Sequence, residues 1–158
     1  MATRGEKDAC DLLDTDHRAV KRMFKDYEEL ANARGRNIAQ KKMELARQIC
    51  HELAVHAQIE EEIFYPALRG AIKETDLVAE AEVEHQSAKD LIAQIEAMDT
   101  ADEKFDAKVT VLGEYVDHHV KEERNEMFPK ARAARKLDLL AMRDQLMERK
   151  EELMGAMA

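Results

Sequence analysis

Two stretches of the chain repeat one arrangement of residue types that bind metal ions. In the first, His56 is followed by Glu60 four residues later and by a proline ten residues later. In the second, His119 is followed by Glu123 and then by a proline at the same distances. Residues four apart lie on one face of a helix, so each copy directs an imidazole and a carboxylate to one point. Two such helices that face each other would begin a two-metal site.

The composition predicts that helices carry these motifs. The chain has 158 residues with only 5 Gly and 2 Pro, and strong helix formers dominate the rest. Apolar residues at three-to-four spacing predict helical segments at about residues 8–33, 38–65, 74–97, 104–128 and 132–154. We expect Pro66 to bend or stop the second segment and Pro129 to end the fourth.

Short connections between the first four segments favour an all-α, up-down-up-down four-helix bundle with an additional C-terminal helix. We expect residues 1–131 to form the bundle and residues 132–158 to form an accessory helix. The apolar stripe of that last helix suits either of two roles, a cover for the side of the bundle or the interface of a homodimer. The predicted oligomeric state is therefore a monomer or a homodimer.

The apolar stripe of every bundle helix also carries an ionisable residue. A buried ion without a partner costs several kcal/mol, so these groups require a common explanation. A pair of divalent or trivalent cations provides one, because mixed nitrogen and oxygen ligands suit iron, manganese, zinc or cobalt better than calcium or magnesium. A lone histidine or a single His-Glu pair is more typical of a structural or surface position, and only the joint pattern indicates metal. The candidate ligands are His17, His56, Glu60, His85, His119 and Glu123.

Two nearby residues compete for places in this set. His118 also has a Glu four residues later, but the spacing to the downstream proline selects His119. We therefore expect His118 to lie at the boundary of the bundle. The alternatives left open are a position behind the ligands and a role as a fifth histidine ligand. Glu61 is adjacent to the predicted site, where a role as a supplementary ligand is open. Other acidic residues near the motifs are typical of a solvated helix face.

Charge and cysteine content exclude several other classes. The net charge of −9 argues against binding to nucleic acid, which needs a clustered basic face. The sequence has no apolar run long enough for a signal peptide or a membrane span. Cys10 and Cys50 do not make a disulfide framework in a chain of this size, which favours a reducing compartment. A cytoplasmic protein is the resulting expectation.

The motifs resemble those of the hemerythrin-like, or HHE cation-binding, family. The resemblance rests on Asp16-His17, on the two His-Glu phrases with their prolines and on Glu84-His85, and it covers about residues 8–131. It implies a four-helix bundle around a non-haem di-iron centre, with the six candidate residues as ligands and with Glu60 and Glu123 as bridges. The cofactor would be two iron ions joined by an oxo or hydroxo group, although zinc or manganese could occupy the same ligands in a given preparation.

One departure from the oxygen-carrying members of that family limits the functional prediction. Lys89 stands where those proteins have a fifth histidine, and Glu123 stands where they have an Asp at a different spacing. The resemblance therefore favours a di-iron protein that reacts with or senses O2, peroxide or nitric oxide over a simple oxygen carrier. The alternatives are a catalase-like enzyme that consumes peroxide, a protein of iron handling or iron–sulfur repair, and a helical bundle without metal. Whether the protein is an enzyme stays open.

Overall fold

The computed structural model describes residues 7–157, which form helices and turns without any strand. This confirms the all-α prediction. Two of the segments, named π1 and π2, are π-helical turns. In chain order the elements are α1 (Ala9–Ala31), α2 (Ile38–Ile59), π1 (Glu60–Phe64), α3 (Tyr65–Arg69), α4 (Thr75–Glu96), α5 (Glu103–Glu122), π2 (Glu123–Met127), α6 (Phe128–Ala133) and α7 (Leu139–Met157).

The four long helices α1, α2, α4 and α5 form the up-down-up-down bundle that the sequence predicts. Helix α1 packs against α2 and α5, and α4 packs against the same two helices, so the four surround one interior. Helix α7 is the additional C-terminal helix, and it lies against α1, α2 and π1. It buries Met142, Leu146 and Leu153 in the apolar core. No helix in the described part of the chain is long and apolar enough to cross a membrane.

Local side-chain hydrogen bonds determine where two of these helices begin. At the start of α1, the Asp8 carboxylate accepts the Asp11 N–H and the Asp11 carboxylate accepts the Asp8 N–H, each at 3.0 Å. This reciprocal pair is a capping box. Asp102 likewise accepts the backbone N–H of Phe105 in the first turn of α5, at 3.0 Å. Gly35 and Asn37 take positive φ angles of 142° and 64° in the turn between α1 and α2.

Neither proline stops the helical path, so the expected end of the helix at Pro129 is wrong, and of the two outcomes expected at Pro66 the stop does not occur. The helical path continues through Pro66 as α3 and through Pro129 as α6. In π1 the N–H of Tyr65 bonds the carbonyl of Glu60 five residues back, and π2 repeats the pattern. Each proline therefore lies in the first turn of a new α-helical segment, where its missing N–H removes no required hydrogen bond.

The last predicted segment, residues 132–154, is also corrected, because α6 and α7 are separate helices. Ala134 takes an extended conformation, with φ −81° and ψ 107°, and stops α6. Asp138 then accepts the N–H of Ala141 at 3.0 Å, which caps the start of α7. The turn between them changes the direction of the chain and lets α7 lie along the bundle.

The interior of the bundle consists of two apolar clusters with a polar layer between them. The first cluster includes residues of α7 and of the π-turns, among them Leu13, Ile59, Phe64, Leu68 and Leu146. The second cluster occupies the opposite end of the bundle and includes Val20, Ile49, Leu53, Phe105 and Leu112. All six candidate ligand residues are buried between the two. The apolar clusters thus hold the polar layer in place and separate it from water.

A buried ion pair ties three helices together in the second cluster. Lys42 of α2 is 8% exposed, and its Nζ atom lies 2.9 and 3.0 Å from the carboxylate oxygens of Asp106 in α5. The Tyr27 hydroxyl of α1 donates to the same carboxylate at 2.7 Å. Asp106 therefore accepts hydrogen bonds from two groups, the Lys42 ammonium and the Tyr27 hydroxyl, that have little access to water.

The Asp106→Ala substitution should destabilise the fold by about 2–3 kcal/mol, because it leaves a buried ammonium and a buried hydroxyl unpaired. Lys42→Met should cost less, about 1 kcal/mol, since the partly exposed carboxylate of Asp106 can be hydrated. Urea unfolding would measure both changes. Asp117→Ala removes an exposed pair with Lys121 within α5 and is the control, with a change of about 0.5 kcal/mol or less. Equal losses for the three variants would contradict this role of Asp106.

Candidate metal centre

The structure brings all six candidate ligand residues together in the polar layer. None is more than 9% exposed, and both glutamates are fully buried. Each of the four bundle helices contributes one imidazole, and each π-turn contributes its first residue as a carboxylate. The six are His17 from α1, His56 from α2, His85 from α4, His119 from α5, Glu60 from π1 and Glu123 from π2.

The four imidazoles form two pairs whose Nε2 atoms face each other. The Nε2 atoms of His17 and His56 are 3.0 Å apart. Those of His85 and His119 are 3.2 Å apart. Each pair joins two helices that are neighbours in the bundle, α1 with α2 and α4 with α5, so the packing of neighbouring helices creates the pairs.

Each carboxylate touches one imidazole from each pair. The Oε1 atom of Glu60 lies 3.0 Å from Nε2 of His56 and 3.4 Å from Nε2 of His85. Glu123 places its Oε2 atom 3.8 Å from Nε2 of His17. Its Oε1 atom is in closer contact with Nε2 of His119. The result is two sets of four ligand atoms, each set within 4.8 Å, and both glutamates belong to both sets.

These residues fit a pair of metal ions. Atoms bound to one ion at about 2.1 Å are about 3.0–3.4 Å apart, close to the observed separations. Within the described residues, the Oε2 atoms of Glu60 and Glu123 have no hydrogen-bond partner. Fully buried carboxylate oxygens without donors are costly unless a cation compensates them. The donor set and its unpaired oxygens therefore match two cations that share the carboxylates.

Without metal, protons compensate part of this charge. Burial disfavours the charged form of His56, but the carboxylates of Glu60 and Asp16 outweigh it and raise its pKa to about 10. His119 is also buried, and Glu123 and its other acidic neighbours raise its pKa to about 11. Cations and protons therefore compete for these two imidazoles.

The pKa values of His17 and Glu123 shift so that their neutral forms are favoured. Burial and the neighbouring imidazole of His56 lower the pKa of His17 to about 3. Burial and the Glu60 carboxylate raise the pKa of Glu123 to about 7. His17 is therefore ready to offer a lone pair at neutral pH, whereas the metal-free Glu123 is partly protonated there.

A carboxylate lies behind each imidazole, near its Nδ1 atom. Three of these carboxylates are within hydrogen-bond distance, and the fourth is farther away. Because a carboxylate accepts, each bonded Nδ1 carries the proton, which directs the Nε2 lone pair to the centre. The pairs are Asp16 with His56 at 3.1 Å, Glu84 with His119 at 3.2 Å, Glu61 with His85 at 3.4 Å and Asp14 with His17 at 3.7 Å.

Cationic side chains in turn hold three of these carboxylates, Asp14 through Arg124, and Asp16 and Glu61 through lysines. Lys150 of α7 binds Asp16 at 2.6 Å, and Asp16 bonds His56, so one carboxylate connects the C-terminal helix to a candidate ligand. Lys89 binds Glu61 at 2.6 Å. Glu61, considered as a supplementary ligand, thus lies behind an imidazole instead of among the ligand atoms. Lys89, the residue that departs from the oxygen carriers, anchors it there.

Tyr65 is a residue of the centre that the sequence analysis missed. Its hydroxyl is buried and lies 3.2 Å from Nε2 of His85 and 3.0 Å from Nε2 of His119. It also donates to Oε1 of Glu123 at 3.3 Å. Tyr65 follows Glu60 by five residues, a spacing that faces away in an α-helix but aligns across a π-turn. The repeat itself held a signal, since an aromatic residue precedes the proline in both copies.

The second copy has Phe128 at the position equivalent to Tyr65. The Phe128 ring stacks on His17, with ring centroids 6.2 Å apart and an interplanar angle of 11°. The two halves of the centre therefore differ by one hydroxyl. The pair of His85 and His119 has an O–H group beside it, whereas His17 has an apolar ring.

An apolar cavity of about 60 Å³ adjoins the imidazoles. This volume exceeds the roughly 10–15 Å³ that one water needs, so the cavity admits a small molecule. Lys89 and Tyr115 line it and are partly exposed, which places its rim between α4 and α5. The apolar part of its lining includes Val20, Leu53, Ala88, Ile92 and Val116.

His118 lies outside this centre. Its side chain is 67% exposed and faces Glu122 at 3.0 Å on the surface of α5. The structure thus places His119, and not His118, in the polar layer. Cys50 is buried in the second apolar cluster, as expected for a small core side chain.

Comparisons with known proteins agree with this arrangement. Residues 8–131 match the family model described as hemerythrin HHE cation binding domain. A DNA nickase from Nostoc sp. (strain PCC 7120 / SAG 25.82 / UTEX 2576) is 31% identical over 118 residues, which are 75% of this chain. The match covers 32% of that relative, so the chain spans about a third of its length.

A solved structure is similar over nearly the whole chain. It is the crystal structure of a hemerythrin HHE cation binding domain-containing protein from Mycobacterium kansasii. The TM-score is 0.75 at 22% identity, and the similarity covers 96% of this chain and 90% of that chain. At this identity the likeness supports the fold, including a helix beyond the four of the bundle.

Proposed function

Since this chain belongs to the hemerythrin HHE cation-binding family, we propose that its metal-binding centre holds two iron ions and reacts with or senses O2 or nitric oxide. The two imidazole pairs would each hold one ion, and Glu60 and Glu123 would hold both. The observation that carries the proposal is that each buried carboxylate contacts one imidazole of each pair. A site for a single ion would not need two carboxylates in both ligand sets.

The surroundings of the centre favour a small uncharged ligand. Iron, when bound, supplies the redox chemistry, and the protein controls access, water content and proton positions. The cavity beside the imidazoles exposes far more apolar than polar surface, so it disfavours ions and favours molecules such as O2 and nitric oxide. The apolar clusters on both sides keep bulk water from the ligands.

Consumption of peroxide is the second candidate function, and Tyr65 is the observation that favours it. Conversion of two H2O2 into O2 and two H2O requires the transfer of O–H protons between the two peroxide molecules. The Tyr65 hydroxyl is a buried O–H group within hydrogen-bond distance of two imidazoles and a carboxylate, where it could hold or pass a proton. O2 evolution that falls at least about tenfold in Tyr65→Phe would support this function, and an unchanged rate would contradict the role of the hydroxyl.

Iron handling and DNA cleavage are less well supported. Iron delivery requires exchange of the ion, but all six candidate ligands are at most 9% exposed. The nickase relative extends far beyond the matched region. The net charge of −9 also opposes contact with a phosphate backbone. The proposal therefore assigns this domain neither activity.

Metal content and absorbance test the main proposal. Protein grown with ample iron and purified without a tag is expected to contain about two iron ions per chain, since it has two ligand sets. The anaerobically reduced protein should change its absorbance when O2 or nitric oxide is added, whereas zinc-loaded protein should not. Iron near zero would overturn the proposal of a di-iron centre. Full iron loading without a response to either gas would overturn the proposed reactivity.

Lys150→Met is expected to weaken iron retention by about tenfold. Loss of the ammonium frees Asp16, which positions His56, and such partners typically affect metal affinity by about 10–100-fold. The rate of iron loss to a chelator would measure the effect. Arg149→Met is the matched control, because it breaks an ion pair between α7 and Glu62 that does not lead to an imidazole. Equal rates of iron loss in the two variants would contradict a specific role for Lys150.

Metal binding is expected to release about two protons per chain at pH 7.5, because His56 and His119 must lose theirs to coordinate. Their pKa values are raised to about 10 and about 11, so the apparent affinity for Fe2+ should rise as pH increases from 6 toward 9. An indicator dye in weakly buffered anaerobic solution would count the protons. Release of fewer than one proton, or an affinity independent of pH, would contradict the prediction.

A further inference from the structure

The sequence contains a third His-Glu pair at a spacing of four residues, one position before the second interior motif. His118 and Glu122 interleave with His119 and Glu123 along α5. Because successive residues are about 100° apart around a helix, the two pairs face different directions. One pair faces the interior, and His118 with Glu122 faces the surface.

A carboxylate from α4 completes a set of three ligand atoms on this surface. The Nε2 atom of His118 lies 3.0 Å from Oε1 of Glu122 and 3.6 Å from Oε2 of Glu84. The three ligand atoms are within 4.8 Å of one another. Ligands of a tetrahedral ion at about 2.0–2.1 Å are about 3.3 Å apart, between the two observed distances.

The two carboxylates of this cluster have no lysine or arginine partner. Across residues 7–155, neither Glu84 nor Glu122 forms an ion pair with a lysine or arginine, and their charged contacts are with histidines. Other acidic residues around the centre, such as Asp14, Asp16 and Glu61, are each paired with a lysine or arginine. Glu84 and Glu122 therefore meet at His118 without the permanent cation that their acidic neighbours have.

Glu84 also connects this surface to the interior. Its Oε1 atom is 3.2 Å from Nδ1 of His119, and its Oε2 atom is directed to His118. Glu84 lines the apolar cavity beside the imidazoles, and it lines a second groove on the surface together with Glu122. Glu84 thus belongs to the surface cluster and also contacts His119, a candidate ligand of the buried centre.

We propose that Glu84, His118 and Glu122 form a separate surface site for a divalent transition-metal ion. One imidazole and two carboxylates suit Zn2+, Fe2+ or Co2+ better than Ca2+ or Mg2+, which prefer oxygen ligands alone. Three protein ligands leave at least one position for water, so the ion exchanges more readily than an ion in the buried centre. The surface site does not depend on which metal occupies the interior.

Calorimetric titration of the iron-loaded, full-length protein with Zn2+ tests the proposal. The wild-type protein should bind one Zn2+ beyond its interior metal. His118→Ala and Glu122→Gln should each weaken that binding by at least about tenfold, since loss of a direct ligand exceeds the ~10–100-fold effect typical of a supporting residue. His51→Ala is the matched control, because it removes a histidine of α2 that lies outside the cluster.

The outcomes separate this proposal from the proposed function. The iron content of each of the four proteins should be the same before and after its titration, which shows that Zn2+ has not replaced interior iron. Equal Zn2+ affinity in wild type, His118→Ala and Glu122→Gln overturns the surface site, and so does an equal loss in His51→Ala. If His118→Ala folds poorly, Glu122→Gln alone decides, because it preserves the side-chain shape. A purified protein without iron would refute the di-iron centre, but the comparison of variants would still decide the surface site.

Discussion

Glu60→Gln is expected to abolish binding of both iron ions, whereas His17→Ala should leave one behind. Glu60 belongs to both ligand sets, so a neutral amide in its place removes one negative charge from both ions. His17 belongs to only one set, and its loss leaves the pair of His85 and His119 intact. Iron content should therefore fall from about two per chain to near zero in the first variant and to about one in the second.

Elemental analysis of the purified variants, with helical content checked by circular dichroism, would measure this difference. Glu126→Gln is the matched control, because Glu126 lies in π2 but is exposed. It should retain about two iron ions. If Glu60→Gln keeps both ions, or if both variants lose the same amount, the carboxylate is not shared between two ions.

Removal of the metal should lower the thermal midpoint by about 8–16 °C. A ligand present at a thousand times its Kd stabilises the folded state by about 4 kcal/mol. For a chain of this length, 1 kcal/mol corresponds to roughly 2–4 °C. The physical source is the buried layer, in which the Oε2 atoms of Glu60 and Glu123 have no hydrogen-bond partner among the described residues. Metal-free protein must keep these groups dehydrated without the cations that compensate them.

Thermal unfolding before chelation, after chelation and after reloading with Fe2+ would measure the effect. Reloading should restore the midpoint, which excludes irreversible damage by the chelator. Glu60→Gln is an internal control, since a variant that holds no iron should not respond to the chelator. A midpoint that does not change on metal removal would show that the fold does not depend on the occupied centre.

The bundle and the six central residues could be predicted because they follow the helical period. His17 and His85 lie on apolar stripes, and the repeat places the two His-Glu pairs on such stripes as well. The choice between His118 and His119 needed only the distance to Pro129. The burial of these six side chains was predictable because it depends on spacing within one helix, and short connections between the helices predicted the bundle.

The remaining features depend on contacts between helices or on a departure from the α-helical period. Asp16 supports His56 and Glu84 supports His119 across helix interfaces, and spacing within one helix says nothing about such pairs. Tyr65 reaches the centre only because π1 adds a residue to its turn. The period of 3.6 residues therefore predicts the wrong side for it.

The π-turns also determine which changes of chain length this protein can tolerate. Each turn accommodates one residue more than an α-helix would at that point, and both occur directly after a central carboxylate. Deletion of one residue between Glu60 and Pro66 would convert π1 into a regular α-helical turn and leave the chain after it facing almost the same way. Tyr65 would then follow Glu60 by four residues, a spacing that keeps both on one face of an α-helix. Deletion of a second residue would rotate everything after it by about 100° and turn the buried face of α3 to solvent. The interval from histidine to proline should therefore tolerate the loss of one residue but not of two, while longer insertions and deletions should be confined to the turns at residues 32–37 and 97–102.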